Sequence, residues 1–99
     1  MMKEGESNIM QDINLIGERT VNLENNKHVT ISYFLVKEDK VRPLYGIKII
    51  QKYDSSHFLS EYTEPLSYSK DYVVNILHKL MDHNVLISNL IETVDDLIV

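Results

Sequence analysis

The last third of the chain constrains the fold more than any other segment, because its apolar residues recur at helical spacing almost to the final residue. Intervals of three and four residues place such side chains on one face of a helix. The first set follows Ser67-Tyr68-Ser69, which offers a helix N-cap. The apolar positions of the two sets are Tyr72, Val73, Ile76, Leu77, Leu80 and Met81, and then Leu90, Ile91, Val94, Leu97 and Ile98. This spacing predicts two C-terminal helices, over about 70–83 and 89–97, whose apolar stripes must cover another layer of structure.

The first two thirds of the chain alternate apolar and polar residues with a period of two, which is typical of β-strands. The clearest strand is His28–Val36, a run rich in β-branched and aromatic residues. Further strands are predicted at about 12–23, 44–53 and 57–64. Gly17 indicates a bulge or bend in the first of them. Pro43 and Pro65 mark strand limits, because proline cannot donate a hydrogen bond to a sheet.

Short turns join the predicted strands, for example at Glu24–Lys27 and Asp54–Ser56. Such connections link antiparallel neighbours, since a parallel pair needs a long crossover. We therefore predict an α+β fold, in which a four-stranded antiparallel meander is followed by two C-terminal helices packed on one face (ββββαα).

A chain of 99 residues has the size of one domain. We expect a single α+β domain over 12–99 and a disordered N-terminal arm over 1–11, where the sequence is polar and acidic. The absence of cysteine fits a reducing compartment. The sequence shows no secretory signal pattern, and its apolar runs are far shorter than a membrane span. Together these features predict a cytoplasmic protein without a membrane partner.

The charge balance makes nucleic acid an unlikely main partner. The net charge is −5, whereas binding to a phosphate backbone depends on Lys and Arg. Lys37, Lys40 and Arg42 are the only local concentration of basic residues, and we interpret them as solvated loop charge. Aromatic residues fall mostly on the strands, and exposed sheet aromatics can stack on unpaired bases. Binding of single-stranded nucleic acid therefore stays open as an alternative function.

Residues with catalytic or metal-binding chemistry match no complete motif. His78 and Asp82 lie four residues apart on the first predicted helix, with His83 adjacent, and His57 could add a further ligand. They leave a small-ligand or metal-sensing domain as a second alternative. Asp54-Ser55-Ser56-His57 contains an acid, hydroxyls and a base, but these residues are also typical of a turn. We predict that the chain is not an enzyme and needs no cofactor.

The strand pattern also predicts which apolar residues the helices leave uncovered. Ile31, Tyr33, Ile47 and Ile49 share the face that the helices should cover. The residues that point the other way are Phe34, Val36, Leu44 and Ile50. An exposed apolar patch usually marks an interface. The leading hypothesis is therefore a non-enzymatic protein–protein interaction or regulatory module, which forms a homodimer or binds another protein through this patch.

A family resemblance accompanies these patterns. Its motifs are Tyr45-Gly46-Ile47, Ser67-x-Ser69, Val73-x-x-Ile76-Leu77-x-x-Leu80, Asn84-Val85 and Leu90-Ile91-x-x-Val94-x-Asp96. With them, the segment over 31–99 resembles a small clostridial protein family known as domain of unknown function 6514. Where that pattern leads us to expect a proline after the inter-helix valine, this chain has Leu86-Ile87. The resemblance implies no activity, cofactor or catalytic residue.

Overall fold

A computed structural model describes residues 10–39 and 41–98. Within them the chain forms four strands, β1 to β4, and two helices, α1 and α2. Their bounds are Met10–Asn22 for β1, His28–Asp39 for β2, Leu44–Lys52 for β3, Phe58–Tyr62 for β4, Lys70–Asp82 for α1 and Leu90–Leu97 for α2. Short 3-10 turns lie at Glu24–Asn26 and Ile87–Asn89. The predicted α+β order ββββαα is confirmed.

The four strands form one antiparallel sheet in the order β1-β2-β3-β4, as the short turns predict. β1 begins at Met10, two residues before the predicted strand start. Residues 1–9 of the expected N-terminal arm lie outside the described residues. None of the helices among the described residues is both long and apolar enough to span a membrane.

The bulge predicted near Gly17 is confirmed, and it changes which way β1 side chains point. Leu15 pairs with Phe34 and Gly17 pairs with Tyr33, so Ile16 is an extra residue in β1. Because side chains alternate between the faces, one extra residue exchanges the faces on its two sides. Ile13, which pairs with Val36, therefore lies on the face opposite the helices.

α1 covers the other face of the sheet and closes the core. On β2 and β3 the covered face carries the predicted residues Ile31, Tyr33, Ile47 and Ile49, all fully buried. The helical residues that join the same cluster are Val73, Ile76, Leu77, Leu80 and Met81 of α1 and Leu90 and Val94 of α2. The helical stripes are thus part of one core.

Local hydrogen bonds set where α1 begins and ends. The hydroxyl of Ser69 accepts from the backbone N–H of Tyr72 at 3.2 Å, so Ser69 is the N-cap that the sequence predicts. After the helix, Asn84 has a φ of 50°, a left-handed conformation that asparagine tolerates. The N–H of Val85 then donates to the carbonyl of Leu80 at 3.0 Å, which closes the helix end.

Two buried polar side chains tie the segment between the helices to the sheet. The Tyr33 hydroxyl donates to the backbone carbonyl of Val85 at 3.0 Å. Burial raises the pKa of Tyr33 to about 12, and the positive charge of Arg19 opposes that shift. The side-chain carbonyl of Gln51 accepts from the N–H of Ile87 at 3.0 Å, while its amide donates to the Tyr53 hydroxyl at 2.6 Å. These bonds fix the segment between the helices over the core.

Candidate functional site

The face of the sheet opposite α1 is the main candidate for a binding surface. The register places the four predicted residues together there: Val36 lies beside Gly46, Phe34 beside Lys48, Ser32 beside Ile50, and Glu38 beside Leu44. Phe34, Leu44 and Ile50 are partly exposed, whereas Val36 is only 5% exposed. Val36 therefore contributes little accessible area, and Phe34, Leu44 and Ile50 carry the accessible part of the predicted patch.

The outer strands extend this surface with apolar residues that the sequence pattern did not indicate. On β1, Ile13 and Leu15 lie on the same face, and Leu15 is 53% exposed. On β4, Tyr62 pairs with Lys48 and Phe58 pairs with Lys52, so both share that face and are exposed. We call the whole side of the sheet that points away from the helices the open face. Its apolar residues and the lysine among them are Ile13, Leu15, Phe34, Val36, Leu44, Lys48, Ile50, Phe58 and Tyr62.

A lysine lies between two aromatic rings at the centre of the open face. The Nζ of Lys48 is 5.0 Å from the ring centroid of Tyr62 and 5.9 Å from that of Phe34. Both distances are within the range of a cation–π interaction. The charge is thus held against apolar surface rather than by a carboxylate.

One row of the sheet crosses all four strands at this lysine. Leu15, Phe34, Lys48 and Tyr62 lie side by side in register. The next row consists of Glu18, Ser32, Ile50 and Ser60. In that row the Ser32 hydroxyl donates to the Glu18 carboxylate at 2.8 Å. The open face therefore has an apolar and cationic row beside a more polar one.

Gly46 and the segment after β4 form one end of the open face. A Cβ atom on Gly46 would lie 3.3 Å from the hydroxyl of Thr63 and 3.5 Å from the carbonyl oxygen of Glu64. The Thr63 hydroxyl also accepts from the N–H of Ile47 at 3.0 Å. Glycine thus allows this segment to approach β3 closely.

At the β4 edge of the sheet, one outward-pointing N–H has a partner in the same strand. Thr63 donates its N–H to the carbonyl of Ile47 at 2.8 Å, so the N–H of the preceding residue, Tyr62, points away from β3. The Tyr62 N–H donates to the side chain of Glu61 at 3.2 Å. Together with the strand length of five residues, this contact disfavours the addition of another strand.

The β1 edge has a corresponding contact. Leu23 donates its N–H to the carbonyl of Lys27, which places the backbone groups of Glu18 on the outer side of β1. The carbonyl of Glu18 accepts from the guanidinium of Arg19 at 2.9 Å. At each edge of the sheet, a charged side chain thus already forms a hydrogen bond with one outward-pointing backbone group.

The candidate nucleophilic cluster at 54–57 is a turn stabilised by Asp54. One carboxylate oxygen of Asp54 accepts from the N–H of Ser56 at 2.8 Å and from that of His57 at 2.9 Å. Hydrogen bonds from the Ser56 backbone and the His57 side chain lower the pKa of Asp54. Both Asp54 and Ser56 contact the Nδ1 of His57, at 2.9 and 3.3 Å. A catalytic triad needs the acid and the hydroxyl on opposite ring nitrogens, so this geometry supports a turn.

The structure also shows where the predicted metal ligands and most of the basic residues lie. His57, His78, Asp82 and His83 are exposed, and no group of three His, Asp or Glu among the described residues could hold a metal ion. Arg42 stacks on the ring of Tyr68 at 3.9 Å. Lys37 lies in β2 and is half-buried, so its interpretation as solvated loop charge is wrong, and Lys40 is outside the described residues.

A small hollow lies beside His57. It has a volume of about 320 Å³ and is lined by Tyr53, Ser56, His57, Phe58 and Leu59. Its polar side chains already have hydrogen-bond partners, since Tyr53 accepts from Gln51 and both Ser56 and His57 contact Asp54. The open face remains the better candidate site.

The fold and this surface define a small two-layer α+β domain with one covered and one open sheet face. A family model described as a family of unknown function, DUF6514, matches residues 12–99, and the chain belongs to that family. The resemblance noted in the sequence is thereby confirmed, whereas a clostridial origin stays a prediction. No curated protein and no solved structure matches the chain.

Proposed function

We propose that this protein is a non-enzymatic interaction module that dimerises by packing its open face against that of a second copy. The observation that carries this proposal is the row of Leu15, Phe34, Lys48 and Tyr62 across all four strands, on the face that neither described helix covers. A partner that covers the apolar side chains of an uncovered sheet face removes them from water, which lowers the free energy of the complex. The absence of cysteine supports a reducing compartment such as the cytoplasm.

The size of the open face suits a dimer. Strands about 4.8 Å apart that rise about 3.3 Å per residue give a four-stranded face of about 20 Å by 30 Å over the length of β3. The relief of the side chains adds accessible area to that flat surface. Standard interfaces bury about 800 Å² on each partner. One face per copy is therefore enough for a specific dimer.

Face packing is favoured over edge pairing by the contacts at the two edges. The outward Tyr62 N–H and the outward Glu18 carbonyl already have charged partners within their own strands. Natural sheets use charged side chains to discourage edge-to-edge association, and at the β4 edge the strand is also short, with five residues. A second copy would therefore gain more by covering the open face.

Sedimentation equilibrium of the wild-type protein and two matched variants tests the proposal. Leu15→Arg places a charge on the open face, and Leu59→Arg places one on β4 on the opposite face, at 53% and 51% exposed positions. We expect the wild type and Leu59→Arg to be dimers and Leu15→Arg to be a monomer with nearly unchanged circular dichroism.

A wild-type protein that stays monomeric at high micromolar concentration would overturn the proposal. Binding of a different protein to such a monomer, if Leu15→Arg abolished it, would assign the same face to a heterologous partner. Equal effects of the two arginine variants would also count against the open face, because only one of the two positions lies on it.

A further inference from the structure

The order of side chains across the open face indicates how two copies face each other. We infer that the two-fold axis of the dimer runs parallel to the strands, between β2 and β3. This inference rests on the proposed dimer and adds its geometry. It depends on the register of the row that contains Leu15, Phe34, Lys48 and Tyr62.

Two sheets packed face to face can be related by a two-fold axis that lies in the plane between them. If the axis runs along the strands, β1 of one copy lies over β4 of the other, and β2 lies over β3. Each row then faces the same row of the second copy, apart from the usual rotation of about 30° between packed sheets. Leu15 therefore faces Tyr62, and Lys48 faces Phe34.

Both pairs of facing residues are chemically favourable. Leu15 and Tyr62 are both exposed in the single copy and would bury apolar surface together. The ammonium group of Lys48, already beside Tyr62 and Phe34 of its own chain, would also meet the Phe34 ring of the second copy. A cation placed between aromatic faces is stabilised while it loses water.

With an axis perpendicular to the strands, Lys48 faces an unfavourable residue of the second copy wherever the axis crosses this part of the sheet. Each strand then faces itself with its rows reversed, so the position of the axis decides which residue of β3 in the second copy Lys48 meets: Leu44, Gly46, Lys48, Ile50 or Lys52. Two of these choices bring like charges together, and the other three place an ammonium group on an aliphatic side chain or a glycine. Only the axis along the strands gives Lys48 an aromatic partner.

Cysteine cross-linking distinguishes the two axes, because the natural chain contains no cysteine. Glu18 on β1 and Ser60 on β4 lie in the same row of the open face and are exposed. With the axis along the strands, Glu18 of one copy lies over Ser60 of the other, about 10 Å away. The Glu18 residues of the two copies are then much farther apart, because about three strand spacings across the sheet also separate them.

The experiment mixes Glu18→Cys and Ser60→Cys proteins and adds a bismaleimide that spans about 10 Å. We expect a covalent dimer in the mixture and none, or at least tenfold less, in either variant alone. Efficient cross-linking of Glu18→Cys to itself would overturn the inference and indicate the perpendicular axis.

A second pair keeps the test independent of any one substitution. Thr20→Cys and Phe58→Cys occupy opposite ends of the next row and should behave in the same way. Sedimentation of each variant is measured first. If the wild type is a monomer, the proposed function itself fails; if the dimer persists but the cross-links follow the other axis, only this geometry fails.

Discussion

The two faces of the same strand, β2, differ in what completes them. Tyr33 and Leu35 point into a core closed by α1 and are almost fully buried, whereas Phe34 between them is partly exposed on the open face. Both faces carry apolar side chains, but among the described residues only one face has a covering layer. Alternate residues of one strand thus differ in role: one set forms the core, and the other carries the proposed interface.

The largest expected contrast is between a leucine of the covered side and one of the open face. Leu77→Ala removes a fully buried side chain and should lower the free energy of unfolding by about 2 to 5 kcal/mol. Leu15→Ala, at an exposed position, should change it by less than about 1 kcal/mol when the protein is monomeric. Urea denaturation at low protein concentration measures both, and comparable losses would break the distinction between the faces.

The pH dependence of stability should also separate the two faces. Tyr33 has its pKa raised to about 12 in the folded protein, so the folded state holds this proton above pH 10, where the unfolded state loses it. Its contribution to stability is complete below pH 10 and is lost as the pH rises toward 12. Urea midpoints across this range should fall more steeply for the wild type than for Tyr33→Phe.

Tyr62→Phe on the open face is the matched control for that titration. It should keep the steep wild-type decline, because Tyr33 and its bond to Val85 are unchanged. A Tyr33→Phe protein with the same alkaline slope as both others would contradict the assignment.

The smallest expected effect concerns two lysines of β3 that point to the open face. Lys48→Gln removes a charge that meets the Phe34 ring of the second copy in the proposed dimer, once from each side, and should weaken the dimer by about fivefold to thirtyfold, as two cation–π contacts imply. Lys52→Gln removes a charge four residues along β3, where none of the described rings contacts it, and should change the dimer affinity by less than about twofold. Sedimentation at fixed salt compares them, and equal effects would point to net charge as the cause.

Much of this contrast could be predicted from the sequence. Alternation along 28–36 assigned Tyr33 to the core and Phe34 to the open face, because a strand period of two leaves only one choice once the apolar run is long. The helical spacing and the N-cap residue Ser69 predicted the bounds of α1 almost to its final residue. The residues of these two elements were enough to predict them, without knowledge of how the strands pair.

Other features depended on pairing between strands that one sequence does not fix. A bulge was predicted at Gly17, but its effect on Ile13 and Leu15 follows only from the observed register. The position of Tyr62 likewise depends on how the turn after β3 sets the register of β4. Gln51 gave no sign of burial, since its partner is a backbone N–H 36 residues later in the chain.

The extra residue in β1 has a consequence for how such a protein can change in evolution. If β1 kept its length but lost the bulge, Ile16 would pair with Phe34, so Ile13 and Leu15 would turn toward the helix side and Asp12 and Asn14 toward the open face. A change that only straightens this strand could thus replace an apolar rim with a polar one while most of the core kept its residues. The proposed pairing of two copies would then be lost through a shift of strand register, without any substitution among the residues that form the rim.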